Sequence, residues 1–342
     1  ACVLLGLMLS GQPTHAAVHT TSGGVVLSPG DNLQAIVDSH PAGTHFIIGA
    51  GIHRMQSIRP RDGDSFTGEP GAVLNGSRLL TDWRREGNYW VIDGQTQQGY
   101  TVGSCRDSNE RCNHSEDLYI DDEPLTHMRS LSLIGPGKWY FDYNNDRIYM
   151  VDDPRGRTVE TSITFDAFYG SAYNVTIGHL TIEKYAGPGQ RGAIRGKDSQ
   201  NWIVHNNVVR LNSGVGINAG PGMQVLNNRV IRNGQIGMTG GGKDLRIEGN
   251  EIAYNNYANY RDGWEAGGTK FAHTDGIILR NNYVHHNDGP GLWTDINNIN
   301  TLIENNIVAY NTGMGIFHEI SYSAVIRNNV SKFNSQNWSA WL

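Results

Sequence analysis

Six asparagines, Asn207, Asn228, Asn250, Asn282, Asn306 and Asn329, recur at spacings of 21, 22, 32, 24 and 23 residues. Three residues before them stand Val204, Val225, Ile247, Leu279, Ile303 and Ile326, and two residues after them Val209, Val230, Ile252, Val284, Val308 and Ser331. Five residues after each comes a second asparagine: Asn212, Asn233, Asn255, Asn287, Asn311 and Asn334. Glycine follows four residues later in four rows, as Gly216, Gly237, Gly291 and Gly315. Columns that recur together demand a fold in which one period of sequence is one period of structure. A period of 21–24 residues fits a solenoid with about three short strands per coil. Leucine-rich repeats share that period, but their leucine columns are absent, and β-branched columns favour strands. Parallel crossovers prefer the right hand, so the expectation is all-β, a right-handed parallel β-helix. The asparagines suit its bends, where they tolerate left-handed conformations and stack in ladders from coil to coil.

The rest of the chain divides around this repeat. Residues 1–17 read as a truncated signal peptide, an apolar run (Val3-Leu4-Leu5-Gly6-Leu7-Met8-Leu9) before small residues (Ala16-Ala17), which predicts a secreted or periplasmic protein. A buried strand is the competing description of that run. Residues 18–342 form the β-helix domain, and 31–77 hold the cap and first coils. There Asn32-Leu33-Gln34-Ala35-Ile36-Val37 has helical spacing and is expected to cover the open end of the stack. Residues 78–160 break the pattern with aromatics such as Trp83, Trp90, Trp139 and Phe141 between turns, and read as inserted β-hairpins. In that region Cys105 and Cys112 are an even pair able to close a short loop in an oxidising compartment, or two free thiols. Regular coils occupy 161–342, and the final Ser339-Ala340-Trp341-Leu342 is no recognisable cap, so the C-terminus reads as incomplete. The 43 glycines and 18 % charged residues agree with tight turns. A net charge of −6 without a Lys/Arg run argues against nucleic acid and anionic membranes as partners. Oligomeric state carries no sequence signal.

The chemistry concentrates where the repeat brings acids into line. Asp295 lies thirteen residues after Asn282, and Glu319 thirteen after Asn306. They hold one position on consecutive coils, about 5–6 Å apart if the strands are parallel neighbours. Alternation turns Leu292 and Ile316 inward and Trp293, Asp295, Phe317 and Glu319 outward, while Lys270 occupies the row of Trp293 and Phe317 one coil earlier. Two carboxylates this close repel, so one is expected to hold its proton while the other stays ionised. That is the acid-and-nucleophile division of glycoside hydrolysis. A gap near 5 Å points to retention, whereas inversion needs roughly 6.5–9.5 Å. Exposed Trp293 and Phe317 are expected to stack on a sugar. The 32-residue row contains an insertion, 256–264, which overhangs this face and supplies Arg261, Asp262 and Trp264. Glu265, His273 and His318 are the remaining candidate substrate-binding residues beside Lys270, Trp293 and Phe317. No histidine pair has metal-ligand spacing and no cofactor is implied, although Asp262, Glu265 and Asp275 form a weak candidate calcium set with backbone carbonyls.

The runs Glu265-Ala266-Gly267-Gly268-Thr269-Lys270-Phe271, Gly291-Leu292-Trp293-Thr294-Asp295 and Gly315-Ile316-Phe317-His318-Glu319 resemble the catalytic coils of β-helical glycoside hydrolases of family 120, which contains β-xylosidases. Family 141 is a more distant likeness. The resemblance implies Asp295 as nucleophile, Glu319 as acid/base, Lys270 as a site residue and a carbohydrate substrate. Two alternatives remain open at this point. A polysaccharide lyase or uronate epimerase would use Lys270 as base, with Arg261 or calcium neutralising the substrate carboxylate. A carbohydrate-binding or adhesin-like solenoid would need neither acid in register.

Overall fold

The computed structural model describes residues 20, 21, 23–106 and 111–335; the stretch 1–17 and the last residues of the chain lie outside them. Three sheets of 11, 9 and 7 strands run along a parallel β-solenoid. Their neighbours are parallel, apart from one antiparallel pair at the N-terminal edge, Thr20–Thr21 with Gly24–Leu27. The sequence columns are columns in space. Val204 pairs with Val225, Val225 with Ile247, Ile247 with Leu279, and Leu279 with Ile303. All five are fully buried, as are Val209, Val230, Ile252, Val284 and Val308. Each such side chain stabilises the stack by about 1.5–3 kcal/mol relative to exposure, so the β-branched columns are the core.

The asparagines form two ladders. Asn207 Nδ2 donates to Asn228 Oδ1 at 3.0 Å, Asn228 to Asn250 at 3.1 Å, and the steps continue through Asn282 and Asn306 to Asn329. A second ladder runs from Asn212 to Asn334 with steps of 2.8–3.0 Å. The left-handed conformation falls elsewhere than expected, on the residue before each rung. In the first ladder these are Asn206, Asn227, Gly249, Asn281, Asn305 and Asn328; in the second they are Leu211, Arg232, Tyr254, His286, Tyr310 and Phe333. The rung's carboxamide holds the bend from inside, and its neighbour takes the strained dihedral, even where a branched or aromatic residue tolerates it poorly.

The helix Leu33–Ser39 starts at Asn32, whose side chain accepts from Ala35 N–H, and it buries Leu33 and Val37 on the core. After the strand Ala72–Asn75 the chain leaves the stack and returns at Phe168–Tyr169, which opens the seven-stranded sheet. The other two sheets resume without a gap, since Thr176–Gly178 pairs with Ser65–Gly68 and Thr181–Glu183 with Ala72–Asn75. Between these points lie a four-stranded and a five-stranded sheet, almost wholly antiparallel, with Trp139, Phe141, Ile148 and Met150 in a core of their own. Buried charges hold this unit to the coils. Lys184, 1 % exposed, pairs with Glu160 and Asp122, and Arg54 pairs with Glu160. Cys105 and Cys112 are joined as a disulfide. Their loop leans on the insertion of the 32-residue coil, where Cys112, Ala258, Tyr260 and Ala266 pack together. Among the described residues no helix is long and apolar enough to cross a membrane.

Candidate active site

The strands Leu292–Asp295 and Ile316–Glu319 are parallel neighbours, with Leu292 opposite Ile316, Trp293 opposite Phe317 and Asp295 opposite Glu319. Gly291 explains how tightly they stack. A Cβ there would stand 2.6 Å from Gly315 O and 2.6 Å from Val308 Cγ1, so the close approach of this corner to the next coil excludes any side chain. The preceding strand, Gly267–Asp275, pairs Phe271 with Thr294, which puts Lys270 level with Trp293. Leu292, Thr294 and Phe271 are fully buried on the inner side. Lys270, Trp293, Phe317, Asp295 and Glu319 therefore share the outer face.

That face is more enclosed than alternation alone implies. Trp293 and Asp295 are each only 6 % exposed and Lys270 8 %. Trp293 was expected to be an exposed platform; instead its ring lies under the Lys270 ammonium, 4.1 Å from the centroid, and stacks on Phe317 at 5.5 Å. Its indole N–H donates to Glu319 Oε1 at 2.9 Å, which fixes that carboxylate. Lys270 Nζ lies 2.8 Å from Asp295 Oδ2 and 3.0 Å from Glu265 Oε1. Burial pulls its ammonium down, but the Asp295 and Glu265 carboxylates outweigh it and hold the group above its ordinary range. A lysine held protonated in this way is a poor general base. Asp295 Oδ1 is buried with no hydrogen-bond partner among the described residues.

Glu265 follows the short helix Asp262–Trp264 in a left-handed conformation, φ 63°. Two glutamines hold it. Gln190 Nε2 donates to Glu265 Oε2 at 2.7 Å, and Gln235 Nε2 donates to Glu265 O at 2.7 Å while its Oε1 accepts from Gln190 N–H at 2.6 Å. Gln235 is fully buried. Neither glutamine was picked out from the sequence. Their only signal was position, because each stands just before a strand of this sheet, Gly192–Arg195 or Ile236–Lys243, as Glu265 stands before Gly267–Asp275.

The other candidates are placed differently. Trp264 stacks on Tyr260 at 6.0 Å beside the disulfide loop, and Arg261 donates from Nε to Cys105 O at 2.7 Å. Both line a hollow with Ser104, Arg106, Asp262 and Gly263, whose lining includes neither Asp295 nor Glu319. His273 is exposed, with φ 54°. His318 corrects its assignment to the substrate-binding set: it lies opposite Thr294, so it faces the inner side, and its Nδ1 is 2.7 Å from Thr294 Oγ1. Burial pushes its imidazole below the ordinary range. Asp262, Glu265 and Asp275 do not converge. Their partners are Arg106 at 3.9 Å, Lys270 at 3.0 Å, and Asn300 at 2.9 Å, and among the described residues no three His, Cys, Asp or Glu could hold a metal ion together.

The family model described as "Right handed beta helix region" matches residues 164–337. Among solved structures, the complex structure of XylC with xylose superposes with a TM-score of 0.73 at 18 % identity, over 89 % of this chain and 63 % of that one. This chain thus spans less than two thirds of that protein's length. A glycoside hydrolase matches at 10 % identity over 86 % of this chain and 90 % of its own, TM-score 0.47. PfbA, a surface adhesin of Streptococcus pneumoniae, matches at 13 % identity over 89 % of this chain and 87 % of its own, TM-score 0.34. No curated protein is a significant match.

Proposed function

This chain belongs to the right-handed β-helix family by its match over residues 164–337, and we propose that it is a retaining glycoside hydrolase, β-xylosidase-like, that cleaves poly- or oligosaccharides. The observation that carries the proposal is the pairing of Asp295 with Glu319 across neighbouring parallel strands. Adjacent strands lie about 4.8 Å apart, close to the roughly 5–5.5 Å of retaining carboxylate pairs and short of the roughly 6.5–9.5 Å that leaves room for an inverting water. In the first step Asp295 attacks the anomeric carbon while Glu319 gives its proton to the glycosidic oxygen. The C–O bond breaks, an alcohol leaves and a glycosyl ester forms. In the second step Glu319 takes a proton from water, the hydroxide attacks the same carbon, and Asp295 departs. Lys270 keeps the charge of Asp295 countered and its Oδ2 fixed, which leaves Oδ1 for attack. Trp293 orients Glu319, and half-buried Phe317 is the aromatic surface left for a sugar. The protonated state of Lys270 weighs against the lyase or epimerase alternative. The Cys105–Cys112 bridge supports export to an oxidising compartment, secreted or periplasmic, which fractionation of producing cells checks.

A panel of aryl glycosides, β-xyloside included, tests the activity, with the anomer of the first product read by NMR. Cleavage with retention is expected, lowered about 10²–10⁴-fold in Glu319→Gln and abolished in Asp295→Asn. An inverted product overturns the mechanism. Unsaturated products from a uronate polymer, lost in Lys270→Ala, overturn the hydrolase assignment.

A further inference from the structure

Three buried polar atoms on the outer face of the site sheet have no hydrogen-bond partner among the described residues: Asp295 Oδ1, Asn218 Oδ1 and Arg195 Nε. Arg195 and Asn218 share one row along the solenoid, and Asp295 stands one row over. Arg195 is opposite Asn218, Asn218 opposite Thr239, and Thr239 opposite Lys270, so one row leads from the N-terminal coils to the carboxylate site. At about 4.8 Å per coil, Asn218 lies about 10 Å from Lys270, the reach of a short oligosaccharide rather than of one sugar. The positions level with Asp295 on the preceding coils are Ala272, Gly241 and Gly220, so the strip beside the row is almost free of side chains.

Asn218 is built into place. It is 7 % exposed, and its Nδ2 donates to Gln190 O at 3.3 Å, which fixes the amide's orientation and leaves the carbonyl oxygen over. A buried acceptor without a donor calls for an explanation, and the hydroxyl of a ligand supplies one. The row's cations are already answered. Arg195 faces Asp198 at 3.0 Å and Asp166 at 3.6 Å, and Lys270 is held between Asp295 and Glu265. With no uncompensated positive charge, the row suits hydroxyls and not carboxylates.

We propose that Arg195, Asn218 and Thr239 form a distal subsite for the far end of a neutral, extended oligosaccharide whose scissile bond lies at Asp295 and Glu319. The proposal rests on the hydrolase assignment above and adds to it the length and charge class of the substrate. Asn218 Oδ1 and Thr239 Oγ1 accept sugar hydroxyl protons, and Arg195, held by Asp198 and Asp166, bounds the far end of the row.

The test compares kcat/KM on xylobiose and xylopentaose, with 4-nitrophenyl β-xyloside alongside. The ratio of long to short oligomer, taken on one preparation, is insensitive to lost folded protein. It is expected to be about tenfold in the native chain, the worth of one or two hydrogen bonds, and to fall towards one in Asn218→Leu and partway in Thr239→Val. A native ratio near one with the aryl xyloside cleaved, or a ratio unchanged in both variants, overturns the subsite and leaves the hydrolase assignment standing. Preference for an oligogalacturonide overturns the neutral class. If nothing is cleaved, the hydrolase assignment fails, and calorimetric titration with xylopentaose decides the subsite: binding weakened in Asn218→Leu upholds it, and absence of binding overturns it.

Discussion

Lys270 Nζ sits 2.8 Å from Asp295 Oδ2, with side chains only 9 % and 8 % exposed. Removing one member of a buried pair strands the other's charge, which costs about 3–5 kcal/mol. Lys270→Met is therefore expected to lower stability by about 3 kcal/mol at pH 7 and to lower aryl glycoside turnover at least about 100-fold. Adding Asp295→Asn to that variant should restore most of the stability and none of the activity. Denaturant unfolding of both variants checks this, and a double variant no more stable than the single one would refute the pairing.

Gly291→Ala tests how the coil corner positions the site. The added methyl has only 2.6 Å to Gly315 O and 2.6 Å to Val308 Cγ1. Both atoms belong to the neighbouring strand or the core, so the coils must separate, at about 1–3 kcal/mol. Because the displaced strand carries Trp293 and Asp295, kcat is expected to fall more than folded protein does, as measured by active-site titration against circular dichroism.

The ladder can be broken at one rung. Asn282 Nδ2 donates to Ile247 O at 2.9 Å and to Asn306 Oδ1 at 3.0 Å, and its Oδ1 accepts from Asn250 Nδ2 at 3.0 Å. Asn282→Ala leaves these buried partners unsatisfied, and the expected loss is about 3 kcal/mol. Calorimetry measures it. A loss below about 1 kcal/mol would mean that water replaces the rung.

Asp117 gives a pH signature where the inserted unit meets the coils. Tyr257 donates to its Oδ2 at 2.8 Å and Tyr119 at 3.3 Å. Burial pushes this carboxyl up to about 6, against the opposing hydrogen bonds from Tyr257, Ser213 and Tyr119. A folded value above the unfolded one means that the folded chain binds the proton more tightly. Its contribution is most favourable below about pH 4 and is lost as pH rises through about 6. About two pKa units correspond to about 3 kcal/mol. The stability of Asp117→Asn relative to the native chain is therefore expected to rise by about that amount between pH 4 and pH 8 in urea titrations. A constant difference would contradict it.

Much of the candidate site's geometry was legible because in-register parallel stacking turns a sequence interval into a position. Thirteen residues after Asn282 and after Asn306 meant the same row, and Asp295 and Glu319 share it. Parity along a strand likewise placed Lys270 beside Trp293. Parity says nothing of what lies on top, so the enclosure of Trp293 was invisible. The same parity, had it been applied to His318, one residue from Glu319, would have put it on the other side, where it lies opposite Thr294. Gln190 and Gln235 reach Glu265 across coils from corners outside the repeating columns, and no spacing rule points to them. The lean of the disulfide loop on Tyr260 and Ala266 was equally out of reach, since the insertion carries no period to align.

The glycine corner at Gly291 and Gly315 has a wider meaning for catalysis in a stack of this kind. It holds successive coils at one fixed rise, so the gap between two outward acids comes only in whole steps. Neighbouring coils give about one step of 4.8 Å and the double-displacement route, while skipping a coil gives about 9.6 Å and space for a water on the far side of the sugar. Stereochemistry in such a scaffold is thus counted in coils, and moving one acid by a single repeat would exchange one outcome for the other without reshaping the cleft.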